Sequence, residues 1–173
     1  MSFYTLFDPA QIFGYLAFAL GVACFAQTDD RRFKVFMALE CLSYAVHFAL
    51  LGQPTAAASS LVSLGRSVAA IRSRSPWVAG FFIALSLGLG AWLQAGWHSL
   101  LPIAASCIGT TALFFLKGIR MRLLMLVGTL LWLANNLIVG SIGGSLLEAT
   151  IAATNCWTIW RTWRKGSDLQ KSD

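Results

Sequence analysis

The chain has 173 residues, of which 57% are hydrophobic and only 12% charged, with a formal net charge of +6 and a mean hydropathy of +0.69. So few charges do not cover a soluble globule, and the composition calls for lipid as the solvent. Crossing a hydrocarbon core of ~30 Å takes roughly 20 helical residues, so this length holds about seven or eight crossings and no separate soluble domain. A β-barrel would show alternating segments of about 10 residues, and these apolar runs are long and unbroken.

The pattern predicts an all-α membrane protein with helices at 9–27, 34–51, 55–72, 77–95, 99–117, 122–140 and 144–163. The first stretch, MSFYTLFDPAQIF, has neither a basic n-region nor a small-residue cleavage site, so the first helix is expected to be retained. The connections TDDRRF, GQP, RSRSP, AGWH, KGIRM and SIGG are short, and each carries a charge cluster, Gly or Pro that stops a helix. Consecutive helices are therefore expected to run antiparallel.

Arg31, Arg32 and Lys34 fall at the first turn, Arg72 and Arg74 at the third, and Lys117, Arg120 and Arg122 at the fifth. Arg161, Arg164, Lys165 and Lys171 follow the last helix, while the second, fourth and sixth turns have no Lys or Arg. With seven crossings all this charge lies on one side, which the positive-inside rule makes cytoplasmic, leaving the N-terminus outside. The basic charge is thus expected to serve membrane orientation and not nucleic-acid binding. Trp77, Trp160 and Trp163 fall near the predicted inner boundary and Trp92 and Trp97 near the outer one, as interfacial anchors do. Cys24, Cys41, Cys107 and Cys156 stand singly in apolar stretches, without the spacing of a zinc site or a disulfide framework.

The stretch YAVHFALLGQPTAAASSLVSLGRSVAAIRSR can be laid over WLANNLIVGSIGGSLLEATIAATNCWTIWRTWR with one gap near the turn. Tyr44 then falls on Trp132, His47 on Asn135, Gly52 on Gly140, Arg66 on Asn155 and Arg72 on Arg161. Each stretch follows a helix that ends in a basic turn. The expected organisation is a three-helix repeat over 1–76, a linker helix over 77–98, a second three-helix repeat over 99–165 and a tail over 166–173. Three crossings and one intervening crossing bring the second unit in with the same orientation, so this 3+1+3 repeat is parallel.

That architecture resembles the SWEET sugar transporters and their half-size SemiSWEET and PQ-loop relatives. The motifs DRRFK, HF..LG, R.RS and GSIGG...E with a later Asn and WR resemble the YgjV-type bacterial inner-membrane proteins, a family that brings no defined activity. This resemblance implies a multi-pass protein of the bacterial inner membrane. The SWEET pattern implies asparagines facing one another across a pocket from the third and seventh helices. Asn155 fits one position, and Arg66 replaces the other asparagine. An arginine there favours an anionic or carboxylated solute over a neutral sugar. The pattern also implies hinge prolines within helices, and here only Pro102 is clearly inside one.

Polar groups inside a bilayer normally face protein or water, which makes them the best functional pointers. Glu40, Ser43, Tyr44 and His47 share roughly one face of the second helix, as do Ser59, Ser63 and Arg66 of the third. Asn135 and Asn136 lie on the sixth helix, Glu148 and Asn155 on the seventh. Glu40 and Arg66 both fall roughly 9 Å inside the cytoplasmic boundary and are candidates for an ion pair, either registering two helices or gating. His47 and Glu148 lie nearer the outside and are candidates for a titratable pair; a packing histidine is the competing reading.

The sequence thus predicts a small-solute transporter for a sugar or sugar acid, working by alternating access between helices two, three, six and seven. Arg66, Asn155, Asn135, Tyr44 and Trp132 would bind the solute, and Glu40, His47 and Glu148 would gate it or carry protons. Such a protein would show a water-filled cavity lined by Arg66, Asn135 and Asn155, whereas a dry core there argues for the alternative, a non-transporting membrane protein that binds a partner or lipid. No P-loop, HExxH, nucleophile elbow or metal-ligand cluster appears, so neither enzyme activity, a metal nor a cofactor is expected. Membrane lipid and a small solute are the expected partners, and a homo-oligomer is compatible with so small a bundle.

Overall fold

The computed structural model describes residues 8–25, 30–73, 75–93, 96–116 and 118–169. Seven helices follow one another: α1 (Pro9–Phe25), α2 (Asp30–Leu50), α3 (Pro54–Arg72), α4 (Pro76–Leu93), α5 (Leu100–Phe115), α6 (Gly118–Ile138) and α7 (Ile142–Leu169), with a 3-10 turn at Trp97–Ser99 before α5. The described residues contain no strand. The orientation expected from basic side chains rests largely on Arg31, Arg32, Lys34, Arg72, Arg74, Lys117, Arg161, Lys165 and Lys171. Their side chains, like that of Cys24, lie outside the described set.

Among the described residues, three helices are long and apolar enough to cross a membrane on length and composition: Pro76–Leu93, Trp97–Phe115 and Ile119–Ile138. Shorter apolar stretches occupy Pro9–Ala23 and Ala38–Leu50. α3 and α7 are less apolar, because they carry Ser59, Ser60, Ser63 and Arg66, or Glu148 and a series of threonines. α7 continues well past the expected end at 163 and takes in part of the expected tail. Nothing in WRTWRKGSDL excludes helix, and Arg164 stacks over the Trp160 ring at 4.3 Å, one turn away.

α1 packs on α2 and α7, α3 on α2 and α5, and α6 on α5 and α7, while α4 lies against α3 and α5. The helices other than α4 thus form a ring in the order α1, α2, α3, α5, α6, α7. At the α1–α7 seam a Cβ on Gly143 would collide with the Gly14 backbone, so only glycine permits this approach. The α2–α3 and α6–α7 turns share one design. Gly52 (φ 69°) and Gly140 (φ 74°) each take the left-handed conformation that ends a helix. The following N–H reaches back to Phe48 O in the first turn and Asn136 O in the second, at 2.8 Å in both. The expected equivalence of Gly52 and Gly140 therefore falls on two turns of matching geometry.

Pro102 is not a mid-helix hinge. It lies in the first turn of α5, where its missing N–H has no intrahelical partner to lose. Trp77, Trp92, Trp97 and Trp163 are largely exposed.

Candidate functional site

Two buried polar clusters occupy the bundle. The first joins α1, α2, α6 and α7. Gln11, the one amide of α1, donates from Nε2 to Gly140 O at 2.7 Å, and its Oε1 accepts from the Ile142 N–H at 3.0 Å. One side chain thereby satisfies both sides of the α6–α7 turn. His47 lies fully buried, with Nδ1 2.6 Å from Ala10 O and Nε2 2.6 Å from Ser141 Oγ. A carbonyl oxygen only accepts, so Nδ1 holds a proton; in the neutral ring, Nε2 then accepts from the Ser141 hydroxyl. Ser141 Oγ also accepts from the Gly144 N–H at 3.2 Å, which caps α7.

Deeper along the same helices, Asn136 Nδ2 donates to Tyr44 Oη at 2.9 Å. Asn135 and Asn136 are both fully buried, yet Asn135 Nδ2 and Asn136 Oδ1 have no partner. Glu148 is buried on α7 without a hydrogen-bond or ion-pair partner among the described residues. Glu40, half-buried on α2, accepts from Cys41 Sγ at 3.2 Å. Both carboxyls lie within electrostatic reach of Tyr44. Trp132 stacks on Phe48 at 5.6 Å and belongs to the aromatic core beside Tyr44, so it faces packed side chains.

The second cluster joins α3, α4 and α5. Arg66, buried on α3, donates from Nη1 to Ser106 O at 2.7 Å and, at 3.5 Å, to Thr110 Oγ1. Its Nε has no partner. Ser106 Oγ and Ser86 Oγ lie 2.9 Å apart and extend the polar contact to α4. Gly109 makes room for the guanidinium, since a Cβ there would meet Nη1 at 2.8 Å.

The expected grouping of site residues is corrected on three points. Arg66 does not pair with Glu40; Gly109 opens a berth on α5, and Ser106 offers a carbonyl there. His47 does not pair with Glu148, because both ring nitrogens are engaged by Ala10 and Ser141. Arg66 and Asn155 do not face one another: α3 and α7 share no extensive contact, and Asn155 turns to α6, donating from Nδ2 to Arg122 O at 2.9 Å. A cavity of about 380 Å³ lies between α6 and α7, with Val22 of α1 and with Arg122 and Asn155 at one end. Arg66 and Asn135 do not line it.

Sequence reasoning overlooked Gln11, Ser141, Ser86, Ser106 and Thr110. Gln11 and Ser86 each stand out as an isolated polar residue in an apolar helix, and that signal was available. Ser106 and Thr110 are four apart on α5, one above the other, which also marks a polar face. Ser141 gave no such signal, because a serine beside a glycine reads as turn chemistry.

Helices apolar enough to span lipid, with ionisable side chains enclosed among them, define an integral helical membrane protein. A family model described as a bacterial inner membrane protein, Imp-YgjV, matches residues 8–166. The chain is also 38% identical over 163 residues to Inner membrane protein YgjV of Escherichia coli (strain K12), covering 92% of this chain and 87% of that protein. It belongs to the YgjV family of bacterial inner membrane proteins. No solved structure matches it.

Proposed function

We propose that this protein is a small-solute transporter of the inner membrane in which all seven helices cross the bilayer and two three-helix units, joined by α4, alternate access. The solute class that suits it is a sugar acid or another small carboxylate. One observation carries the reading: Arg66 and Glu148 are buried ionisable groups without a counter-charge among the described residues. Uncompensated charge within a membrane bundle is costly and marks solute or proton pathways. Arg66 would draw the anionic group of the solute, and Glu148 would exchange a proton beside the unpaired amide atoms of Asn135 and Asn136. Matching neighbour order in the two halves, and matching turns at Gly52 and Gly140, support the repeat. On this reading the described conformation is closed between the two clusters.

The second reading, a membrane protein that does not transport and uses these groups for packing, is favoured by Gln11 and His47, whose polar atoms are all engaged. It is also favoured by the separation of Arg66, Asn135 and Asn155. Liposomes carrying the purified protein, offered sugars, sugar acids and organic acids between about pH 5 and 8, decide between them. Transport predicts pH-dependent uptake of a carboxylate that disappears in Glu148→Gln and Arg66→Met. Flux no greater than in empty vesicles would establish the second reading.

A further inference from the structure

Helices α1, α2 and α7 repeat one contact two turns along. At the Gly140 end, Gly14 lies against the His47 ring, where a Cβ would meet Cε1 at 2.9 Å, and His47 reaches Ser141 at the start of α7. Seven residues deeper on each helix stand Gly21, Glu40 and Glu148, roughly 10 Å away. The fit recurs there: a Cβ on Gly21 would meet Glu40 Cγ at 3.7 Å and would collide with the side chain of Leu147, next to Glu148. Because α2 runs opposite to α1 and α7, the register that joins His47 to Ser141 sets the two carboxyls at one depth.

The turn between these two levels adds neutral oxygens. A Cβ on Gly144 would stand 2.7 Å from Tyr44 Oη and 2.9 Å from Asn136 Cγ, so hydroxyl and amide both lie against α7 one turn from Glu148. Helical side chains lean toward the N-terminus of their helix, which carries the Glu148 carboxyl toward that turn. Asn136 donates from Nδ2 to Tyr44 Oη at 2.9 Å, and its fully buried Oδ1 is left without a partner. Tyr44 lies within electrostatic reach of both carboxyls, and they of each other. No basic side chain neutralises Glu148 among the described residues.

We propose that this level of the bundle holds one Na⁺ ion between Glu40 and Glu148, with Tyr44 Oη and Asn136 Oδ1 completing its oxygen shell. Two carboxylates at one depth in a membrane bundle demand compensation, and one cation with one shared proton leaves the pair neutral. Carboxylate, carbonyl and hydroxyl oxygens suit a hard cation. Ca²⁺ takes about 6–8 oxygens, more than these side chains offer. No three His, Cys, Asp or Glu residues group as metal ligands among the described residues, which is not the shell of a transition metal.

Melting of the full-length protein in uncharged detergent, with NaCl exchanged for choline chloride at constant ionic strength, tests this. Na⁺ is expected to raise the melting temperature saturably by a few degrees, and equilibrium binding of radiolabelled Na⁺ should give one ion per chain. Glu148→Gln keeps the shape of the side chain and removes its charge, so it should melt cooperatively in choline and lose both responses. Glu148→Asp should keep them at several-fold higher Na⁺, and Tyr44→Phe should weaken them. Neither readout needs flux, so the ion site stands or falls apart from transport. A melting temperature indifferent to Na⁺, a response to Ca²⁺ alone, or undiminished Na⁺ binding in Glu148→Gln would each overturn the assignment.

Discussion

Helices α1, α2, α6 and α7 meet over groups that largely satisfy one another at their Gly140 end, whereas α3, α4 and α5 meet over a guanidinium held by one carbonyl and a long contact to a hydroxyl. In the first region, polarity fastens elements distant in sequence: Gln11 and His47 tie the first two helices to the turn at Gly140 and Ser141. In the second, polarity is concentrated on one cation that the surroundings accommodate without neutralising. Buried polarity of the first kind specifies packing, and that of the second kind invites a ligand. Glu148 extends the second kind of behaviour into the first region.

The largest effect should come from the first region. His47→Ala removes a fully buried ring and leaves Ala10 O and the Ser141 hydroxyl without their partner, at a cost of about 3 kcal/mol. Thermal unfolding in detergent measures it. A loss below about 1 kcal/mol would show that the cluster does not fasten the bundle.

Glycine contacts sharpen the contrast. A Cβ at Gly143 meets backbone atoms of Gly14 and Tyr15, which move only if α1 and α7 separate, so Gly143→Ala should cost about 2 kcal/mol. At Gly109 the obstacle is the end of the Arg66 side chain, which can swing away. Gly109→Ala should therefore cost well under about 1 kcal/mol in the same melts. Equal losses would mean that Arg66 is as firmly set as the α1–α7 seam.

A smaller effect is expected at the paired turns. Both Gly52→Ala and Gly140→Ala place a side chain in the left-handed region, at about 1 kcal/mol each. Gly52 has open space where a Cβ would point, so its cost is conformational alone. A much larger loss at Gly140 would show that the Gln11 bond to its carbonyl adds a demand the first turn lacks.

Helix number and the approximate position of every helix were legible in the sequence, because apolar runs broken by Gly, Pro and charge follow directly from the thickness of lipid. The correspondence of Gly52 and Gly140 was legible too, since a glycine closing a helix has a strong local reason to be there. The partners of Arg66, Asn155 and His47 were not. Helical periodicity places a residue on a face, but which helix covers that face depends on the order around the bundle. That order turns on close contacts such as Gly14 with Gly143, and the sequence showed these only as scattered small residues. Arg66 was expected opposite α7, and it lies on α5 because Gly109 opens a berth there.

Arg66→Met should leave stability close to the parent, within about 1 kcal/mol in either direction. Replacing a buried charge with an apolar side chain of similar length removes a desolvation cost along with the bond to Ser106 O, and the two nearly offset. The carbonyl it leaves already accepts from Thr110 Oγ1 at 2.8 Å, so the substitution strands no buried acceptor. This sets Arg66 apart from His47, whose removal strands groups on two other segments. If Arg66→Met melts like the parent but loses carboxylate uptake in liposomes, the cation is retained for its charge toward a solute. If it destabilises as strongly as His47→Ala, both regions serve packing, and the contrast between them fails.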